Sequence, residues 1–172
     1  LTPHAAVRFE TLPRLAELVG SGSLAAAGRR PLARPIGDCA AGVVARDSGG
    51  TLAQVAGLPG YARVLRRHFQ RLRRGGIRSS GELDVPADNE TTREFLRAYD
   101  AFRALTHEFY DDEDLFDAGA AAIAAGQAGV AAELGDIYLV APAVRTAGGD
   151  RLVHALAGGS NIVQLDDDTV RI

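Results

Sequence analysis

Apolar residues recur every three or four positions along most of the chain, which is the spacing of helices that bury one face. The first such run predicts a helix that starts at Glu10 or Thr11 and ends at the glycines and serines of 20–23. The same spacing predicts a helix at about 36–47 and a short helix at 51–56, which Thr51 is expected to cap. The first part of the chain is therefore expected to be mainly helical.

A helix with two different faces is predicted from Tyr61 to about Arg74 and is ended by Gly75 and Gly76. One face is apolar and carries Tyr61, Leu65, Phe69 and Leu72. The same spacing places four arginines on the opposite side, and these are Arg63, Arg67, Arg71 and Arg74. We therefore expect the four arginines to point away from the protein core.

Two further helices are predicted downstream. Asp88 or Asn89 is expected to cap a long helix that reaches Phe109. The acidic run 111–114 is expected to precede a helix from 115 to about 127, because negative charge is favourable at a helix N-terminus. Helix capping is a better explanation of this run than a metal site, since it lacks the glycine and spacing of a calcium-binding loop.

The pattern changes near the end of the chain, where a strand is predicted at 137–141, a helix at 147–157 and a second strand at 161–165. The first of these is a continuous apolar run, which indicates a strand buried on both faces. Shorter strands are predicted at 7–9 and 169–172. This order predicts an α/β fold with a parallel sheet, formed by residues 1–23 and 130–172, and an inserted α-helical subdomain at 24–129.

Charge is unevenly distributed along the 172 residues. The formal net charge is −3, and seven of the 19 basic residues lie within 61–78. Without those seven the charge would be −10. A concentration of arginine on an acidic background indicates a surface for phosphate groups or for an acidic partner.

The chain contains no lysine. A phosphate-binding P-loop, a Schiff-base site and a PD-(D/E)xK nuclease site each require one, so none of them can be complete in this sequence. The four histidines are not spaced as metal ligands, and the glycine pairs do not match a dinucleotide-binding loop. No cofactor is therefore expected to bind this segment itself.

The single cysteine, Cys39, excludes an internal disulfide and is expected to be buried. The sequence has no apolar run long enough for a membrane helix and no signal peptide, which predicts a cytoplasmic protein without a membrane partner. It starts at Leu1 and lacks methionine, so we expect a piece of a longer protein.

Several segments together are similar to the N-terminal region of UvrD-like helicases, and more narrowly to the inactivated helicase half of the AddB-like helicase–nuclease family. VRFETLPRLAELV resembles the strand and helix that follow the nucleotide-binding loop in that family. VAGLPGYARVLRRHFQRLRRGGI resembles a helical stretch of its 1B-type insertion, and REFLRAYDAFRALTHEFYDDEDLFDAGAAA resembles the next two helices. DIYLVAPAVRTAGGDRLVHAL and NIVQLDDD resemble the returning strand, helix and strand.

The resemblance implies an incomplete P-loop-NTPase-like sheet and a module that binds DNA without catalysis. The returning strand ends at Pro142 without the carboxylate pair that holds magnesium in active helicases. ATP and Mg would then belong to the parent protein, and a helicase–nuclease subunit or domain would be the protein partner. The residues expected to contact DNA are Arg63, Arg67, Arg71, Arg74 and Arg78.

Three alternatives stay open at this point. The arginine-rich helix could dock on an acidic protein. Its charged side could instead be an ordinary solvated face that pairs with carboxylates of neighbouring helices. The chain could also belong to an active ATP-dependent helicase whose P-loop lies outside this sequence.

Overall fold

A computed structural model describes residues 9–84, 89–126, 137–140, 146–159 and 162–165. These residues contain seven α-helices, which are α1 (Leu12–Ala26), α2 (Arg34–Asp47), α3 (Thr51–Val55), α4 (Tyr61–Arg74), α5 (Glu90–Leu105), α6 (Asp112–Ala124) and α7 (Ala147–Gly159). They also contain four short strands, which are β1 (Arg30–Pro31), β2 (Phe109–Tyr110), β3 (Ile137–Val140) and β4 (Ile162–Leu165), and a 3₁₀ turn at Ser80–Glu82. The described part of the chain is thus predominantly helical.

Helix α1 begins where the sequence predicts but does not end there. Thr11 is the N-cap and accepts a hydrogen bond from Arg14 N–H, whereas the expected stop at 20–23 is wrong because the helix continues to Ala26. Gly20 packs directly on α6, where an added Cβ would lie 2.6 Å from Gly119 N. The glycine allows two helices to approach closely, so its packing contribution outweighs its low helix propensity.

Helices α2 to α5 enclose one hydrophobic core. Its centre is the Phe69 ring, which is fully buried and contacts the rings of Phe95, Tyr99 and Phe102 on α5. Alanines on α2, including Ala41, allow that helix to lie close to this aromatic cluster. The apolar face predicted for 61–74 is confirmed, because its residues either lie in this core or pack against it.

A buried carboxylate caps the short helix α3. Glu94 on α5 is 4 % exposed and accepts hydrogen bonds from the backbone N–H groups of Thr51 and Leu52 and from the Ser48 hydroxyl. The N-cap residue itself is Gly50, so the expectation that Thr51 caps this helix is wrong. The acceptor is supplied by a side chain more than forty positions away, which local sequence does not reveal.

Helix α5 ends earlier than predicted. Asn89 is its N-cap, as expected, but the last helical residue is Leu105, and Phe109 lies in β2 instead. The Thr106 hydroxyl donates to the carbonyl of Phe102 and the chain turns there. Strand β2 then pairs in parallel with β1, with Arg30 opposite Phe109.

Helices α1, α6 and α7 form a second hydrophobic core, which contains Ala16, Leu24, Leu115, Phe116, Leu152 and Leu156. Strands β3 and β4 pair in parallel, with Ile137 opposite Ile162, and α7 connects them. This confirms the predicted strand–helix–strand unit and its parallel arrangement. The expectation that the first strand is buried on both faces is wrong, because Tyr138 is 58 % exposed.

The described residues therefore form an α/β arrangement with many helices and little sheet. The predicted division of the chain stays a prediction; it has an α/β part at 1–23 and 130–172 and a helical insertion at 24–129. Helix α6, which belongs to the predicted insertion, packs extensively on α1 and α7. The strand predicted at 169–172, the acidic run 166–168 and most of the strand predicted at 7–9 lie outside the described residues. Within the described ranges no helix is long and apolar enough to cross a membrane.

The expectation that Cys39 is buried is wrong. Its side chain is exposed on α2, whereas its neighbour Ala40 points into the core. Helix α2 buries the positions near Ala41 and Val44, and Cys39 lies on the other side of the helix.

Candidate nucleic-acid interface

Glycines set both ends of helix α4. Gly60 adopts a left-handed φ of 78° before the first turn, and Gly76 adopts 89° after the last. Both angles are unfavourable for residues with a Cβ. The two glycines therefore define where the helix starts and stops, and thereby which fourteen residues are helical.

Four arginines of α4 share one solvent-exposed side. We call this set, Arg63, Arg67, Arg71 and Arg74, the arginine face. Leu65 and Phe69 on the opposite side are 3 % and 0 % exposed, which confirms that the four point away from the core. Within the part of the chain that the structure describes, none of the four forms an ion pair.

Two other arginines of the same helix are buried and paired. Arg66 is 8 % exposed and its Nε donates to Asp38 Oδ1 on α2 at 2.6 Å. Arg73 is 5 % exposed and donates through Nε and Nη2 to the two carboxylate oxygens of Asp111, at 3.0 and 3.1 Å. These contacts fix the rotation of α4 about its own axis and thereby keep the arginine face in solvent.

The start of α6 collects arginines from several parts of the chain. Asp111 and Asp114 cap α6 reciprocally through their side chains and backbone N–H groups. Their carboxylates also pair with Arg73, with Arg29 at 2.9 Å and, at longer distance, with Arg103 of α5. We call these five residues the acid–arginine cluster. The predicted capping role of the acidic run is confirmed.

Burial and charge act in opposite directions on Asp111. Burial raises the pKa of its carboxyl group, but the hydrogen bond and positive charge of Arg73 lower it by more, so the pKa lies below the usual value. Asp111 is thus a charged anchor for α4. The pairing with Arg73 was not predicted, although an acidic run in a chain with a basic helix is a general signal for such pairs.

Arg78 lies apart from the arginine face. It follows α4 in the chain, and its Nη2 donates to Asp117 Oδ2 on α6 at 2.9 Å. Asp117 also accepts a hydrogen bond from Arg151 on α7. The structure therefore places four of the five arginines predicted to contact DNA on one side of α4 and pairs the fifth, which follows the helix, with Asp117 on α6.

The arginine face can hold anions through its guanidinium groups. Guanidinium groups stay charged at all physiological pH values and donate hydrogen bonds in pairs to phosphate or carboxylate oxygens. A shallow depression at the end of α4 brings Arg74 close to acidic residues, since it is lined by Gln70, Arg73, Arg74, Asp111, Asp112 and Glu113. In the described ranges, no group of three or more potential metal ligands is present.

No protein-family model, curated protein or solved structure matches this chain. Its function must therefore be inferred from the geometry of α4 and its neighbours.

Proposed function

We propose that this protein is a non-catalytic module that binds DNA through the phosphate backbone, using the arginine face of α4. The observation that carries the proposal is the contrast within one helix. Arg66 and Arg73 are neutralised by carboxylates, whereas Arg63, Arg67, Arg71 and Arg74 are exposed and unpaired among the described residues. Four exposed charges without an ion pair among the described residues, in an otherwise acidic chain, favour a polyanionic ligand.

The linear arrangement of these charges favours DNA over an acidic protein. With a rise of about 1.5 Å per residue, Arg63 to Arg74 spans about 16 Å along the helix axis. One strand of a duplex presents a phosphate about every 3.4 Å along its axis, and therefore about five phosphates over this length. Carboxylates on a folded protein surface form such a row only where an acidic helix face presents them.

The parent protein of this module is proposed to be a helicase–nuclease or repair protein in the cytoplasm. The parallel β3–α7–β4 unit and the predominantly helical remainder support this proposal, as does the resemblance of the sequence to the AddB-like family. In this proposal the module grips DNA as part of an incomplete P-loop-NTPase-like domain. ATP and Mg would act elsewhere in the parent protein.

Fluorescence anisotropy with a labelled mixed-sequence duplex tests the proposal. The wild-type protein should bind at low salt, and the R63Q/R67Q/R71Q/R74Q variant should lose binding while it keeps the wild-type melting temperature, because all four side chains are exposed. Arg97→Gln on α5, an exposed arginine that pairs with Glu90, is the control for loss of a positive charge away from α4. If the quadruple variant binds the duplex as tightly as the wild type does, the arginine face is not the DNA-binding site.

Polyglutamate is the competitor that separates the two ligand classes. DNA binding should persist when polyglutamate is added at the same charge concentration. If polyglutamate displaces the duplex completely, an acidic protein is the better assignment for this surface.

A further inference from the structure

Helix α2, which packs beside α4, carries two exposed arginines without an ion pair among the described residues, Arg34 at its start and Arg46 near its end. Arg46 lies in the last turn of α2 and is exposed. Among the described residues it has no ion-pair partner. Its neighbours in space are set by the way α2 packs against α4.

Helices α2 and α4 run antiparallel. A Cβ added at Gly37 would lie 2.7 Å from Arg66 Cδ, so the start of α2 lies beside the middle of α4. A Cβ added at Gly42 would lie 3.5 Å from Ala62 Cβ, so the later part of α2 lies beside the first turn of α4. The end of α2 therefore reaches the position where the arginine face begins.

The Arg46 guanidinium occupies that position. The same Cβ at Gly42 would lie 3.4 Å from Arg46 Nη1, so this guanidinium and Ala62 are separated by no more than the sum of the two distances. Ala62 directly precedes Arg63. Arg66 lies on the side of α4 that contacts α2. Because each residue advances about 100° around a helix, Arg66 and Arg63 are about 60° apart around the helix axis. Arg46 thus extends the arginine face across the joint between two helices.

The combined surface has the properties of a duplex platform and lacks those of a single-strand platform. Proteins that bind single strands generally stack bases on exposed aromatic rings. The Tyr61 and Phe69 rings of α4 pack in or against the core, and the exposed His68 ring of this helix contacts Phe95 on α5 edge-on. The exposed Phe and Tyr residues among the described ones belong to other segments, namely Phe9 before α1 and Tyr138 on β3. The surface therefore offers guanidinium groups for phosphates, and none of its described residues is an exposed Phe or Tyr for base stacking.

We propose that Arg46 and the arginine face together form a two-helix platform for the phosphates of double-stranded nucleic acid, with Arg46 as a fifth contact. This proposal rests on the proposed function of the arginine face and specifies its ligand. A duplex carries about one charge per 1.7 Å of axis, twice the density of one of its strands at the same rise. Five contacts to phosphates alone give affinity without sequence preference.

Arg46→Gln tests the fifth contact, with Arg97→Gln as the control. We expect Arg46→Gln to weaken duplex binding about two- to fivefold, the size of one surface charge contact, and equally for duplexes of different sequence. The slope of log K against log salt should also become shallower by about 0.9. If Arg46→Gln and Arg97→Gln bind the duplex equally well while the quadruple variant still loses binding, Arg46 is not a contact. The proposal of a two-helix platform is then wrong, and the proposed role of the arginine face is unaffected.

The duplex preference is tested with one duplex of about two helical turns and its two separated strands. The wild-type protein should bind the duplex several-fold more tightly than either strand at equal salt. Equal or tighter binding of a single strand would overturn the duplex assignment. Loss of all binding in the quadruple variant would still support the arginine face, so the two proposals fail in different ways.

Discussion

Arg73 and Asp111 join α4 to the start of α6 through two parallel hydrogen bonds of 3.0 and 3.1 Å between guanidinium and carboxylate. The next residue on α4, Arg74, is exposed and has no ion pair among the described residues. Adjacent arginines thus have separate tasks: Arg73 anchors the helix, and Arg74 belongs to the surface proposed to bind DNA.

Substituting each of these arginines by methionine should separate stability from binding. Arg73→Met leaves two half-buried carboxylates with fewer partners and removes a buried guanidinium, and should lower the free energy of unfolding by about 3 kcal/mol. Arg74→Met should change it by less than about 0.5 kcal/mol and should weaken duplex binding. Chemical denaturation and anisotropy on both variants measure this. Equal destabilisation by the two substitutions would contradict the separate roles.

Two glycines of α1 should respond in opposite ways to alanine. Gly20→Ala places a Cβ 2.6 Å from Gly119 N and 2.8 Å from Leu115 O, and should destabilise by about 1–3 kcal/mol because backbone atoms must move. Gly22→Ala meets nothing within 4 Å and should stabilise by about 0.5–1 kcal/mol, since glycine is the poorer helix former. Thermal melts of the two variants check the sign of each change. A stabilising Gly20→Ala would contradict the close approach of α1 and α6 at Gly20 and Gly119.

The contrast between these glycines also shows what the sequence predicts and what it does not. Helical spacing alone identifies the buried and exposed sides of α4, because both follow from local periodicity. The continuation of α1 through Gly20 depends on Gly119, and the capping of α3 depends on Glu94. The pairing of Arg73 with Asp111 likewise joins residues far apart in the chain. Such contacts are set by the packing of whole helices, and no local pattern encodes them.

Acid should destabilise the protein partly through Glu94. Burial raises the pKa of this carboxyl group, but hydrogen bonds from Leu52 N–H, the Ser48 hydroxyl and Thr51 N–H lower it by more, so its pKa lies below the usual value. The resulting stabilisation is fully present above the unfolded-state pKa of about 4.3 and is lost as the pH falls through the folded-state pKa. Melting temperatures should therefore drop below about pH 4.

Glu94→Gln isolates this contribution. The glutamine amide cannot accept from all three donors, so the variant should be less stable at neutral pH by about 1–2 kcal/mol, the cost of leaving a buried backbone donor unpaired. Its stability should also change less with pH in the acid range than that of the wild type. The same acid dependence in both proteins would assign the effect to other carboxylates, such as Asp111.

The salt dependence of duplex binding tests the central claim most directly. Plotted as log K against log salt, the wild-type slope should lie between about −3.6 for four phosphate contacts and about −4.5 for five. Any duplex binding that the R63Q/R67Q/R71Q/R74Q variant still shows should have a slope no steeper than about −1. Binding that does not vary with salt, or a quadruple variant with the wild-type slope, would contradict the assignment of the arginine face to DNA.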